Sequence, residues 1–101
     1  MLIGVISGCG TRLDPRLQVN NELREACTDK GKSYSDEQIR GILAEIEERR
    51  LSGYTKAAGY DAAQLTCEEQ YEFPEDQWWL CTTCYAGCVD QVYETNPLQG
   101  L

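Results

Sequence analysis

The sequence predicts an all-α protein, a small bundle of three to four short helices around the cysteine-bearing last one, stapled by disulfides. Two observations carry that prediction. The stretch WWLCTTCYAGCVDQVY, residues 78–93, holds both tryptophans and three of the six cysteines. At the helical advance of about 100° per residue, Trp78, Cys81, Cys84, Tyr85, Cys88 and Val92 fall on one face, the stripe of a helix that looks into a core. The second observation is size: 101 residues make one domain, and six cysteines in a chain with one methionine and one phenylalanine call for a chemical role. In a domain this small, cross-links contribute a large share of the stability, and an even count favours bridges.

The elements follow in order. Residues 1–10, MLIGVISGCG, are apolar apart from one serine and one cysteine, and form an N-terminal segment distinct from the cysteine-rich domain of residues 11–101. From Asp14 the chain reads as helix, with Asp14 as cap and Pro15 at the first position, where a missing N–H costs nothing. Val19, Leu23, Ala26 and Cys27 make its apolar stripe, and the residues 29–32, with Gly31, close it. Ser35 and Gln38 form a capping-box pattern before a second helix with Ile39, Ile42, Leu43 and Ile46 on one face. Gly53 supplies its left-handed stop. The carboxylates Glu45 and Glu48, one turn apart on that helix, read as a solvated face rather than an acid–base pair.

Residues 55–71 read as a third helix with two apolar sides, Ala58, Ala62 and Leu65 on one and Tyr60, Ala63, Cys67 and Tyr71 on the other. That pattern places it in the middle of the bundle. An acidic run, Glu68, Glu69, Glu72, Glu75 and Asp76, lacks the ligand spacing of a calcium loop and reads as a solvated linker. Pro74 opens the last helix and Asn96-Pro97 closes it.

The residues Ile6, Ser7, Gly8 and Cys9 resemble the lipobox of bacterial lipoproteins, in which a branched apolar residue, a small residue and Gly or Ala precede the lipidated cysteine. The resemblance implies that Cys9 receives a diacylglyceryl group, that cleavage after Gly8 makes Cys9 the mature N-terminus, and that acyl chains hold the protein at a membrane. It also implies that one of the other five cysteines stays unpaired. Without it, the segment reads as an apolar arm or short strand ending in a glycine turn.

For Cys27, Cys67, Cys81, Cys84 and Cys88 the favoured chemistry is disulfide formation in an oxidising compartment, with Cys27 and Cys67 bridging into the last helix. A thiolate site for zinc or an iron–sulfur cluster on Cys67, Cys81, Cys84 and Cys88 is the alternative. Zinc modules, however, usually place paired C-x-x-C motifs in tight turns. Redox chemistry at Cys81-Thr82-Thr83-Cys84 is the third reading, weakened because a turn of helix precedes Cys81 and removes the dipole activation of a helix N-terminus.

Composition excludes several classes. A net charge of −8 disfavours nucleic acid as partner. No run of eighteen apolar residues exists to span a bilayer as a helix. Histidine is absent, and with it the commonest general base. The expected function is therefore non-enzymatic: an extracytoplasmic protein, lipoprotein or subunit of a bacterial cell-envelope assembly, working by contact with another protein and without a cofactor. An intracellular thiolate metal or redox protein, and a secreted effector, toxin or inhibitor, are the alternatives. Trp79, with Tyr93 near it in helical angle, is the candidate interface anchor.

Overall fold

The computed structural model describes residues 14–70 and 75–95. It is mostly helical, as expected, with one small two-stranded sheet added. A single 3₁₀ turn, Pro15–Leu17, is followed by α1 (Asn21–Ala26), a hairpin of β1 (Thr28–Asp29) and β2 (Lys32–Ser33), then α2 (Asp36–Leu51), α3 (Lys56–Gln70) and α4 (Glu75–Glu94).

The first helix is shorter than the sequence pattern predicts, and the reason is local capping. Asp14 caps only the 3₁₀ turn, its carboxylate accepting from the Arg16 N–H at 3.0 Å. Gln18 is extended, and Asn20 then caps α1 by accepting from the Leu23 N–H at 2.8 Å. Val19, Leu23 and Cys27 still reach the core, Val19 from its edge. A helical stripe is thus satisfied by a turn, a break and a short helix.

Residues 29–32, expected to close a helix, form the bend of an antiparallel hairpin in which Thr28 pairs with Ser33 and Asp29 with Lys32. Both central residues have positive φ, Lys30 at 51° and Gly31 at 80°. Two consecutive left-handed residues are what a two-residue hairpin turn requires, and glycine occupies one of them without steric cost. The hairpin carries the chain directly from Cys27 to the cap of α2.

That cap has both halves of the capping box. Ser35 Oγ accepts from the Gln38 N–H at 3.1 Å, and the Gln38 side chain accepts from the Ser35 N–H at 2.9 Å. The helix buries Ile39, Ile42, Leu43 and Ile46, the four predicted residues. Its outer face is laced with ion pairs, Arg49 to Glu45 and Arg50 to Glu47, with Arg16 also reaching Glu47. Arg24 forks onto Asp36 at 2.8 and 2.9 Å, tying α1 to the first turn of α2.

The helix at the middle of the bundle is the cysteine-bearing last one, α4, as the sequence predicts, whereas α3 does not share that place. It packs against α1, α2, α3, the first hairpin strand and the 3₁₀ turn. Accordingly it buries Leu80 and Val89 as well as the predicted cysteine stripe. By contrast, α3 lies at the side with one buried seam, Gly59, Ala63 and Cys67, while Leu65 on its other side is 59% exposed. A Cβ at Gly59 would stand 3.4 Å from Val89, and one at Gly87 would stand 3.2 Å from the Cβ of Ala26. Small residues therefore let both α3 and α1 approach α4 closely. Tyr71 and the Pro74 and Asn96-Pro97 helix boundaries lie outside the described residues.

Candidate functional site

The core of the bundle is a sulfur core. Cys27, Cys67, Cys81, Cys84 and Cys88 are all fully buried. Helical spacing explains the arrangement: positions 81, 84 and 88 advance by three and four residues, so α4 presents three sulfurs in a row along its buried face. The end of α1 brings Cys27 to the middle of that row, and α3 brings Cys67 to its N-terminal end. Two bridges result, Cys27–Cys84 and Cys67–Cys81. Both run from a neighbouring element into the last helix, as the helical faces predict.

One expectation about these cysteines needs revision, and two alternative readings lack their geometry. Cys88, expected among the disulfide residues, is a buried thiol. Its place on the row puts it beside a sulfur that Cys84 already engages. The Cys81-Thr82-Thr83-Cys84 pair is not a redox couple of the thioredoxin kind, because each cysteine bonds to a different element. Cys67, Cys81, Cys84 and Cys88 do not converge as four thiolates either. The sulfurs that do converge, all within 4.8 Å of one another, belong to Cys27, Cys84 and Cys88.

The surroundings of this trio are dry. Among the described residues no charged residue is buried, and burial is the one influence that shifts the Cys88 thiol. A thiolate there would have neither a cation nor a donor beside it, so burial pushes the Cys88 thiol up to about 12. At neutral pH it is protonated and inert towards solvent reagents. The same dryness disfavours a multiply charged metal–thiolate cluster, whose negative charge would go uncompensated.

Trp79 is 59% exposed and lies against Trp78, ring centroids 6.4 Å apart, with Trp78 partly buried against the core. On the same turn of α4, Gln77 and Leu80 border an open cleft of about 460 Å³ that Lys32, Tyr34, Gln38 and Tyr85 also line. Tyr93 does not share a patch with Trp79. Fourteen residues of helix separate them, about 21 Å at the α-helical rise. The Tyr93 hydroxyl instead donates to the Tyr54 carbonyl at 2.6 Å, and its ring packs against the core.

Sequence reasoning missed Gln91. Its side-chain amide donates to the carbonyls of Gln18 at 2.6 Å and Arg16 at 3.1 Å, while its oxygen accepts from Asn20 at 3.3 Å. This residue satisfies the backbone of the break before α1, and nothing in its helical position signals that role. Cys9 lies outside the described residues. No helix among the described residues is long and apolar enough to cross a membrane. No protein-family model, curated protein or solved structure matches the chain.

Proposed function

We propose that this chain is a small extracytoplasmic protein, anchored at a bacterial cell envelope through lipid on Cys9, that acts by contact with another protein rather than by catalysis. The cysteine arithmetic carries the reading. Of six cysteines, four form two bridges and one, Cys88, is a buried thiol. A lipidated Cys9 leaves five, and five divide into two bridges and one odd cysteine. Full burial keeps that odd thiol from forming mixed disulfides in an oxidising compartment. The same compartment accounts for bridges that fasten both α1 and α3 to the central helix.

Protein contact is supported by Trp79, an aromatic side chain mostly in water on the outer face of α4, of the residue type most enriched among interface anchors. The decisive test is intact mass spectrometry of protein from its native host, with and without reduction. A mature chain starting at Cys9 with added acyl mass, lighter by four hydrogens than its reduced form, is expected. A chain that retains Met1 and takes up six thiol labels without reduction would overturn the proposal. Photo-crosslinking from position 79 in intact cells addresses the partner. It should yield one discrete adduct that a probe at exposed Glu37, on α2, does not give.

A further inference from the structure

We infer that Cys27, Cys84 and Cys88 form an internal disulfide-exchange site in which Cys27 is the shared sulfur and can be bridged by either residue of α4. Three features place them so. Their sulfurs lie within 4.8 Å of one another. Cys84 and Cys88 are one turn apart on the same face of one helix, so either can present a sulfur to the end of α1. All three are fully buried, and the reaction therefore needs no entry path for a solvent thiol.

The chemistry is closed among these three residues. The Cys88 thiol loses its proton, and the thiolate attacks Cys27 Sγ, forming the Cys88–Cys27 bond as the Cys27–Cys84 bond breaks. Cys84 leaves as thiolate and takes up a proton, so one disulfide and one thiol stand on each side and no oxidant or reductant is consumed. The bridge between α1 and α4 is kept throughout and moves along α4 by four residues, about 6 Å. Cys67–Cys81 takes no part, because Cys67 and Cys81 are outside the trio.

Attack requires the thiolate, and burial makes it scarce at neutral pH. Burial is the sole cause of the Cys88 shift: no charged group of α1, α2, α3 or the 3₁₀ turn contributes to it, and the other titratable side chain in the core cluster that α4 supplies is the Tyr85 phenol. Exchange is therefore slow at neutral pH and should quicken about tenfold per pH unit on the alkaline side, as the thiolate fraction does below the thiol pKa.

The test is independent of lipidation and uses the full chain with Cys9→Ser, so that only these five cysteines remain. Oxidised protein is held at pH 8, 9 and 10, quenched in acid and digested with pepsin. Fragmentation between Cys84 and Cys88 then locates the partner of Cys27. A Cys27–Cys88 species that accumulates about tenfold faster at each step is expected, whereas Cys27 linked to Cys84 alone at all three pH values would overturn the inference. Adding Cys84→Ser should give a Cys27–Cys88 bridge, and two alkylatable thiols at Cys27 and Cys88 in folded protein would equally refute it. Should that variant not fold, the alkaline series decides alone. Neither result bears on Cys9, so failure here and failure of the envelope reading remain separate.

Discussion

The two halves of α4 are held in place by different physics. From Cys81 to Cys88 the helix is fastened by covalent bonds to α3 and α1, inside a core without a buried charge. From Val89 to Glu94 it is fastened by apolar packing of Val89 and Val92 and by a fringe of polar contacts. Gln91 holds the backbone of residues 16–18, Lys56 donates to Glu94, Tyr60 donates to Asp90, and Tyr93 donates to Tyr54. The first set of fastenings is insensitive to salt, and it keeps two bridges until a reductant is present. The second responds to both. A single helix thus carries one redox-dependent end and one electrostatically tuned end.

The largest effect that would sharpen this contrast comes from the bridges. Replacing Cys27 and Cys84 together by alanine releases a span of 57 residues, and loop entropy alone sets the loss at about 4 kcal/mol. The corresponding figure for Cys67 and Cys81, 14 residues apart, is about 3 kcal/mol. Because the shorter loop is nested in the longer one, the two losses should not add fully. Urea unfolding of the single and double bridge variants measures this, with Cys9→Ser in each to avoid new pairings.

At the other end of the helix, Val92→Ala should cost about 2 kcal/mol, since Val92 is fully buried and the space it leaves is only partly refilled. Gln91→Ala should cost about 1 kcal/mol, because carbonyls of the break lose their donor but lie near enough to the surface to meet water. The same denaturation curves report both. If Gln91→Ala proved as damaging as loss of a bridge, the contrast between the two ends would collapse.

Alkaline pH should act on the polar end while the number of bridges stays at two. Hydrogen bonding with Glu94 holds the Lys56 pKa above its ordinary 10.5, and the hydrogen bond to Asp90 holds Tyr60 above 10.0. Both are raised in the fold, so their contribution is complete below the unfolded values and is lost as pH climbs through the folded ones. Stability should therefore decline above about pH 10, and Lys56→Met should flatten its part of that decline. Cys88, also raised, adds to the slope from its ordinary 9.0 upward, and Cys88→Ala separates its share. The acid side runs oppositely. Arg24 beside Asp36, and Arg50 beside Glu47, hold those carboxyls low, so stability present above their ordinary values of 3.8 and 4.5 is lost as pH falls through the folded ones. The smallest effect is expected at Trp79→Ala, within about 0.5 kcal/mol of wild type, as befits an exposed side chain away from any cap or core contact.

How much of this was legible differs by element. The second helix announces itself at every level: Ser35 and Gln38 form the cap, and the four aliphatic residues spaced by three and four all reach the core. The direction of the bridges was legible too, because Cys27 and Cys67 lie on inward faces opposite a helix lined with sulfur. The break at Gln18 was not. Val19, Leu23 and Cys27 recur every four residues, which suits a continuous helix as well as a turn followed by a short one, and only the Asn20 cap separates the two. The hairpin was hidden in the same way, because its first left-handed position is taken by Lys30, a residue that carries no turn signal. The central place of α4 was legible in its sulfur-lined face, but apolar residues on two sides of α3 also look like a central helix, yet Leu65 points to water. Choosing which cysteine of α4 stays a thiol lies beyond periodicity, since Cys84 and Cys88 share a face and only relative placement of α1 selects between them.

The nesting of the two bridges gives the chain an unusual connectivity. The span from Cys67 to Cys81 lies wholly within the span from Cys27 to Cys84, and both end on the same stretch of α4. A protease that cuts once anywhere between Cys27 and Cys84 releases nothing, because the outer bridge still joins the two pieces. When that first cut lies between Cys27 and Cys67, a second cut between Cys67 and Cys81 leaves every fragment tethered as well. Nicked molecules would thus migrate as intact protein until a reductant is added, and the surfaces presented by α2, α3 and α4 would stay on one covalent particle through damage that would dismember an unbridged bundle.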